Sequence, residues 1–198
     1  MNQQQQEQQA GWTPIQDAKK AANILVFLAN AVASPVEVFL RTKFGSNYFG
    51  MPSVVALLLV PMWALFWPQE SPAGICVFWL LFIAFQLRAR IETFRMLARG
   101  EHVHTRYNGW PRLARIFKRM PESRIKAGLE PLLVFAVGVL MMPLSQPLGS
   151  YLMVAAFALG MTHAVIDSVE RARALEMNDA MIEQQALADR FRQMNGGR

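Results

Sequence analysis

Residues 50–67 read GMPSVVALLLVPMWALFW, a stretch without a single charge. A helix on the surface of a water-soluble domain keeps one polar face, and this one has none. Three more apolar runs accompany it. ICVFWLLFIAFQL covers 75–87, PLLVFAVGVLMMPLS covers 131–145 and SYLMVAAFALGMTHAVI covers 150–166. The first pair is separated by PQESPAG (68–74) and the second by QPLG (146–149), both turn-rich in composition. Four helices apolar on every side would leave a soluble bundle no polar exterior, so the pattern predicts an all-α integral membrane protein. Its four transmembrane helices form two tandem hairpins. Each run falls short of the ~20 residues of a straight span. Flanking Lys and Arg side chains that reach back to the headgroups make up the difference.

The composition agrees. Of 198 residues 53% are hydrophobic and 17% charged, against roughly 25% charged in soluble domains. The net charge of +6 admits nucleic acid, an anionic surface or membrane topology as its cause. Placement decides. All twenty basic residues lie before the first run, between the second and third, or after the fourth, and the turns 68–74 and 145–149 hold only Glu70. The positive-inside rule then places both termini and the central segment in the cytoplasm, at a plasma or inner membrane. Topology accounts for the basicity, and no nucleic-acid partner is expected.

The hairpins read as a parallel repeat. Pro52 to Pro68 and Pro131 to Pro147 are both sixteen residues apart. The resulting organisation is a Gln-rich disordered tail (1–13), an interfacial helical segment broken at Pro35 (14–49), and a first hairpin with a cytoplasmic helical extension (50–100). A cytoplasmic connector with a basic amphipathic helix (101–127), a second hairpin (128–167) and a cytoplasmic C-terminal helix (168–198) follow. The tail has no basic start followed by an apolar stretch, so no secretory leader is expected. Cys76, the single cysteine, sits in GICVFWLL and reads as a small apolar residue.

Candidate sites are few. His102, His104 and Glu101 occur in GEHVHTRYNGWP (100–111), with His163 and Asp167 one helical turn apart further on. A three-histidine metal site is conceivable, but a chain reversal at Asn108-Gly109 flanked by interfacial Tyr107 and Trp110 explains the stretch more simply. Arg112, Arg115, Lys118 and Arg119 surround an apolar stripe from Pro111 onward, the pattern of a helix lying on the membrane surface with Trp110. Met177, Met181, Gln184, Leu187, Phe191 and Met194 step by three and four along the C-terminal helix, a narrow seam suited to another helix.

No nucleophile elbow, zincin motif, phosphate-binding glycine loop or cysteine pair is present. The expectation is a non-enzymatic scaffold or assembly subunit of a larger membrane complex, without a cofactor. Its partners are membrane lipids and other membrane or cytoplasmic subunits, in a homo- or hetero-oligomer. A homo-oligomeric channel or transporter lined by small residues such as Gly138 and Gly160 is the alternative, and a metal-dependent membrane enzyme the third reading.

Overall fold

The structure, a computed structural model, describes residues 14–45, 48, 50–100 and 107–195. It is mostly helical. The long helices are α1 (Pro14–Leu40), α2 (Met51–Met62, continued by a 3-10 turn Trp63–Phe66), α3 (Ala73–Ala98), α4 (Glu130–Met141) and α5 (Gln146–Asn195). Two residue pairs, β1 (Arg41–Thr42) and β2 (Trp110–Pro111), form an antiparallel bridge. The chain divides into two compact units, Met1–Thr162 and His163–Arg198.

In the first unit the start of α5 supplies the centre. Tyr151, Leu152, Ala155, Ala156, Ala158 and Leu159 are buried in one cluster with Ala29, Ala33 and Val36 of α1, Val60 of α2, Ile75 of α3 and Val134 of α4. The Tyr151 hydroxyl donates to the Val32 carbonyl at 2.9 Å, and Trp63 Nε1 donates to Ser150 Oγ at 3.1 Å. Alanines dominate this interior, whereas Leu58, Phe66, Leu80, Leu132, Leu140 and Phe157 face outward. A water-soluble bundle places its large apolar side chains the other way round.

Three helices are long and apolar enough to cross a membrane, within Lys20–Leu40, Ala73–Ala98 and Gln146–Met194. That set differs from the four expected. α2 and α4, which carry the first and third apolar runs, are only twelve residues long. The segment expected to lie on the surface, with a break at Pro35, is instead one unbroken 27-residue helix. A proline inside a helix leaves the carbonyl four residues earlier without its N–H partner. Here the Ser34 hydroxyl donates to that carbonyl, on Ala31, at 3.2 Å. Pro61 in α2 is treated alike, because Trp79 Nε1 donates to the Leu57 carbonyl at 2.9 Å. Side-chain donors thus repair both ladders, which local sequence rules do not anticipate.

The expected ending of the second apolar helix near Gly100 is found. α3 ends at Ala98, with Arg99 in the capping position and Gly100 at φ +73°. Both twelve-residue helices carry a proline in their first turn, Pro52 in α2 and Pro131 in α4. The two charge-poor turns are neighbours, since a Cβ built on Gly74 would stand 2.6 Å from Ser145 Oγ.

Small residues set how closely α4 and α5 approach. A Cβ on Gly149 would meet the backbone nitrogen of Met142 at 2.7 Å, and one on Gly138 would meet the Met153 nitrogen at 3.0 Å. A Cβ on Gly160 has its nearest neighbour at 4.0 Å, in Pro131. Gly149→Ala is therefore expected to force the helices apart and cost about 1–3 kcal/mol or more. Gly160→Ala should be neutral or gain up to ~1 kcal/mol of helix propensity. Thermal unfolding in detergent checks the pair, and equal midpoints would contradict this packing.

Candidate functional site: a buried ionic junction

Where α1 ends, the chain places an arginine that has no contact with solvent. Arg41 is 0% exposed, and so is Glu130 at the start of α4. Arg41 Nε and Nη2 both donate to Glu130 Oε2, the former at 2.8 Å. Nη1 donates to Glu37 Oε1 at 3.1 Å, one helical turn back, and to the Asn108 carbonyl at 3.2 Å. One guanidinium thus ties together α1, the connector and α4. The fork of donors suits this, since it meets acceptors in several directions within one plane. Glu130 Oε1 is buried with no hydrogen-bond partner.

The connector is shaped to reach this point. Gly45 N donates to the Tyr107 carbonyl at 2.9 Å, and β1 pairs Arg41 with Pro111 and Thr42 with Trp110. Between them Gly109 stands at φ +77°, where a Cβ would lie 3.0 Å from the Phe44 ring and 3.1 Å from Arg41 Cβ. Both the backbone angle and the close approach require glycine there. No turn or bend is formed at Asn108-Gly109, where a reversal was expected; the left-handed Gly109 instead leads directly into β2, which seats the connector on the end of α1.

A second ionic group adjoins the first. After a single helical turn at Glu122–Arg124, a π-helical segment, Ile125–Leu129, leads into α4. Lys126 is buried and pairs with Glu122. The Tyr107 hydroxyl donates to Glu122 Oε1 at 2.8 Å, and Lys126 Nζ lies 4.8 Å from the centre of the Tyr107 ring. Burial, and then the bond to Glu122, push the Tyr107 phenol well above its usual range. Burial works to raise the Glu122 carboxyl too, but bonds from Lys126 and Tyr107, with the charges of Lys126 and Arg41, hold it below the usual carboxylate range.

No protein-family model, curated protein or solved structure matches this chain. Its function must be read from its own residues.

The residues singled out in the sequence are distributed as follows. His102 and His104 lie outside the described residues. His163 is buried in the second unit, and no group of three or more His, Cys, Asp or Glu that could hold a metal occurs among the described residues. The surface helix expected from Pro111 is not formed. Pro111 is extended at ψ 129°, held in β2, and only a 3-10 turn, Arg112–Arg115, follows. Arg115, Lys118 and Arg119 are nevertheless exposed beside Trp110, Ile116, Phe117 and Met120. Met177, Met181, Gln184, Leu187, Phe191 and Met194 all lie exposed on α5. Sequence reasoning missed the junction itself. It counted Arg41 only among the basic residues flanking the first apolar run. The available signal was the pairing of Glu37 with Arg41 at i, i+4, next to an apolar helix.

Removing one partner from such a buried network costs about 3–5 kcal/mol. Arg41→Met should therefore destabilise by about that amount, and Arg41→Met with Glu130→Met by less. Unfolding of the purified chain in micelles tests this, and a wild-type midpoint for Arg41→Met would mean the junction does not hold the fold. The Glu122 group adds a pH dependence. Its native carboxyl ionises more readily than in the unfolded chain, so its contribution is in place above the ordinary value of 4.5 and fades as pH falls through the lower native value. Acidification below 4.5 should lower the wild-type midpoint more than that of Glu122→Gln. Parallel pH profiles for the two proteins would remove Glu122 from the account.

Proposed function

We propose that the protein is a non-enzymatic assembly subunit of a membrane complex, which offers a long helix outside the bilayer to other chains. The observation that carries this reading is α5. It is one 50-residue helix whose first part lies in the apolar core, while Met177, Met181, Leu187, Phe191 and Met194 are more than half exposed. Those side chains follow one stripe, and charged residues fill the other faces. Apolar seams of this spacing are buried by a second helix.

Membrane placement is supported by the inside-out distribution of large and small side chains in the first unit. Hydrocarbon is a suitable solvent for outward leucines, and close packing of small residues then supplies helix association. The proposed topology has two hairpins, with both termini and the connector on the cytoplasmic side and α1 as an additional apolar helix. The neighbouring charge-poor turns at Gly74 and Ser145 support placing both outer ends together. The basic residues near Arg112 support the opposite end as the inner one. Gly138, a candidate pore-lining residue, is occupied in contact with Met153, so its sensitivity to bulky replacement would follow from packing without any channel.

Native mass spectrometry in mild detergent tests the reading. The wild type should run as an assembled species. Met181→Glu, Leu187→Glu and Phe191→Glu should each reach the membrane fraction yet lose that mass. Unchanged assembly in all three variants would sink the proposal.

A further inference from the structure

A cleft beside the ionic junction has the chemistry of an anion site. It encloses about 170 Å³ and is bordered by Lys43, Phe85, Arg88, Arg112 and Arg115, with Glu92 as the acidic member. Arg41 also borders it, but its charge is met by Glu37 and Glu130. None of Lys43, Arg88, Arg112 and Arg115 forms an ion pair with a described residue. Four cations facing one acid in a confined space repel one another unless an anion joins them.

Two further observations concern residues that border the cleft. Arg112 Nε is buried with no hydrogen-bond partner, although the guanidinium is held 5.7 Å from the centre of the Phe85 ring. A buried guanidinium N–H without an acceptor is costly, and a bound oxyanion would satisfy it. Lys43 stands at φ +57°, the only non-glycine residue with positive φ among those described. That conformation is unfavourable for a lysine, and here it carries a residue that borders the cleft.

The cleft opens into a larger groove of about 690 Å³ that shares Lys43, Arg88 and Glu92 with it. Along this groove Ala84, Leu87, Ile91 and Met96 give α3 an apolar wall, and Arg95 and Arg99 add two further cations. A free phosphate ion would have no use for such a wall, whereas a lipid would lay an acyl chain along it.

We propose that this cleft binds the phosphate of an anionic phospholipid headgroup, with the acyl chain along Ala84, Leu87 and Ile91. The proposal rests on the membrane placement and is independent of the assembly role of α5. Arg112 and Arg88 clamp the phosphate oxygens, Lys43 and Arg115 complete the positive field, and Glu92 excludes a second anion. Basic pockets at the inner ends of membrane helices bind headgroups in this way.

The test uses the full chain, first confirmed in the membrane fraction, so that failure of the membrane placement is recognised separately. Purified protein is exposed to micelles carrying phosphatidylglycerol or phosphatidylcholine, and retained lipid is read by native mass spectrometry. One phosphatidylglycerol per chain is expected, favoured roughly tenfold or more over phosphatidylcholine. Arg88→Gln and Arg112→Gln should each abolish the preference, while Lys118→Gln/Arg119→Gln keeps it. Arg88 is exposed, so its substitution leaves the fold intact even where that of Arg112 does not. Equal retention of the two lipids, or an unchanged preference in Arg88→Gln, overturns the proposal. So does retention of inorganic phosphate with no lipid bound, which would make the cleft a site for a soluble anion.

Discussion

A guanidinium that never touches water must find its acceptors inside the protein, and the first unit is arranged around that requirement. Arg41 draws Glu37 from its own helix, Glu130 from the start of α4 and the Asn108 carbonyl from the connector. Glu130 and Asn108 come from segments distant in sequence. The left-handed conformation of Gly109, the bridge between β1 and β2 and the burial of Glu130 all serve to deliver acceptors to one place. Such a network is weak as a source of net stability, because desolvation offsets much of its attraction. Its effect is on geometry: alternative registers of the connector would leave a buried charge unmatched.

The remaining architecture follows from a second constraint, that backbone groups in an apolar setting also need partners. Pro35 and Pro61 would each orphan a carbonyl, and Ser34 and Trp79 supply the missing donors. The small interior residues serve the same economy of space. With glycine at 138 and 149, α4 and α5 come so near that backbone atoms of one helix occupy the room a side chain of the other would need. The large apolar side chains are thereby left to the exterior, where lipid is the compatible neighbour.

Polar function concentrates at one end of the first unit. The ionic junction, the basic cleft beside it and the exposed cations Arg115, Lys118 and Arg119 belong to the connector and the segments it docks on. Arg41 and its acceptors hold segments in place, and the cleft is where an oxyanion is proposed to bind.

Much of this was legible in the residues. The apolar runs, the charge-poor turns at 68–74 and 145–149, the ending of α3 near Gly100 and the left-handed conformation of Gly109 all depend on local composition and backbone preference, which sequence reports directly. The stripe from Met177 to Met194 was visible for the same reason, since helical spacing is a local property. What sequence could not decide were matters of distance in space. Pro35 reads as a break until Ser34 is seen to satisfy Ala31. Arg112–Arg119 reads as a helix until Pro111 is seen committed to a bridge with Arg41. Arg41 itself reads as one more flanking cation, because its burial depends on Glu130, 89 residues away. Local pattern determined which segments would be helical and apolar. Only the tertiary structure decided which charges would leave the solvent, because that depends on partners that no window of sequence contains.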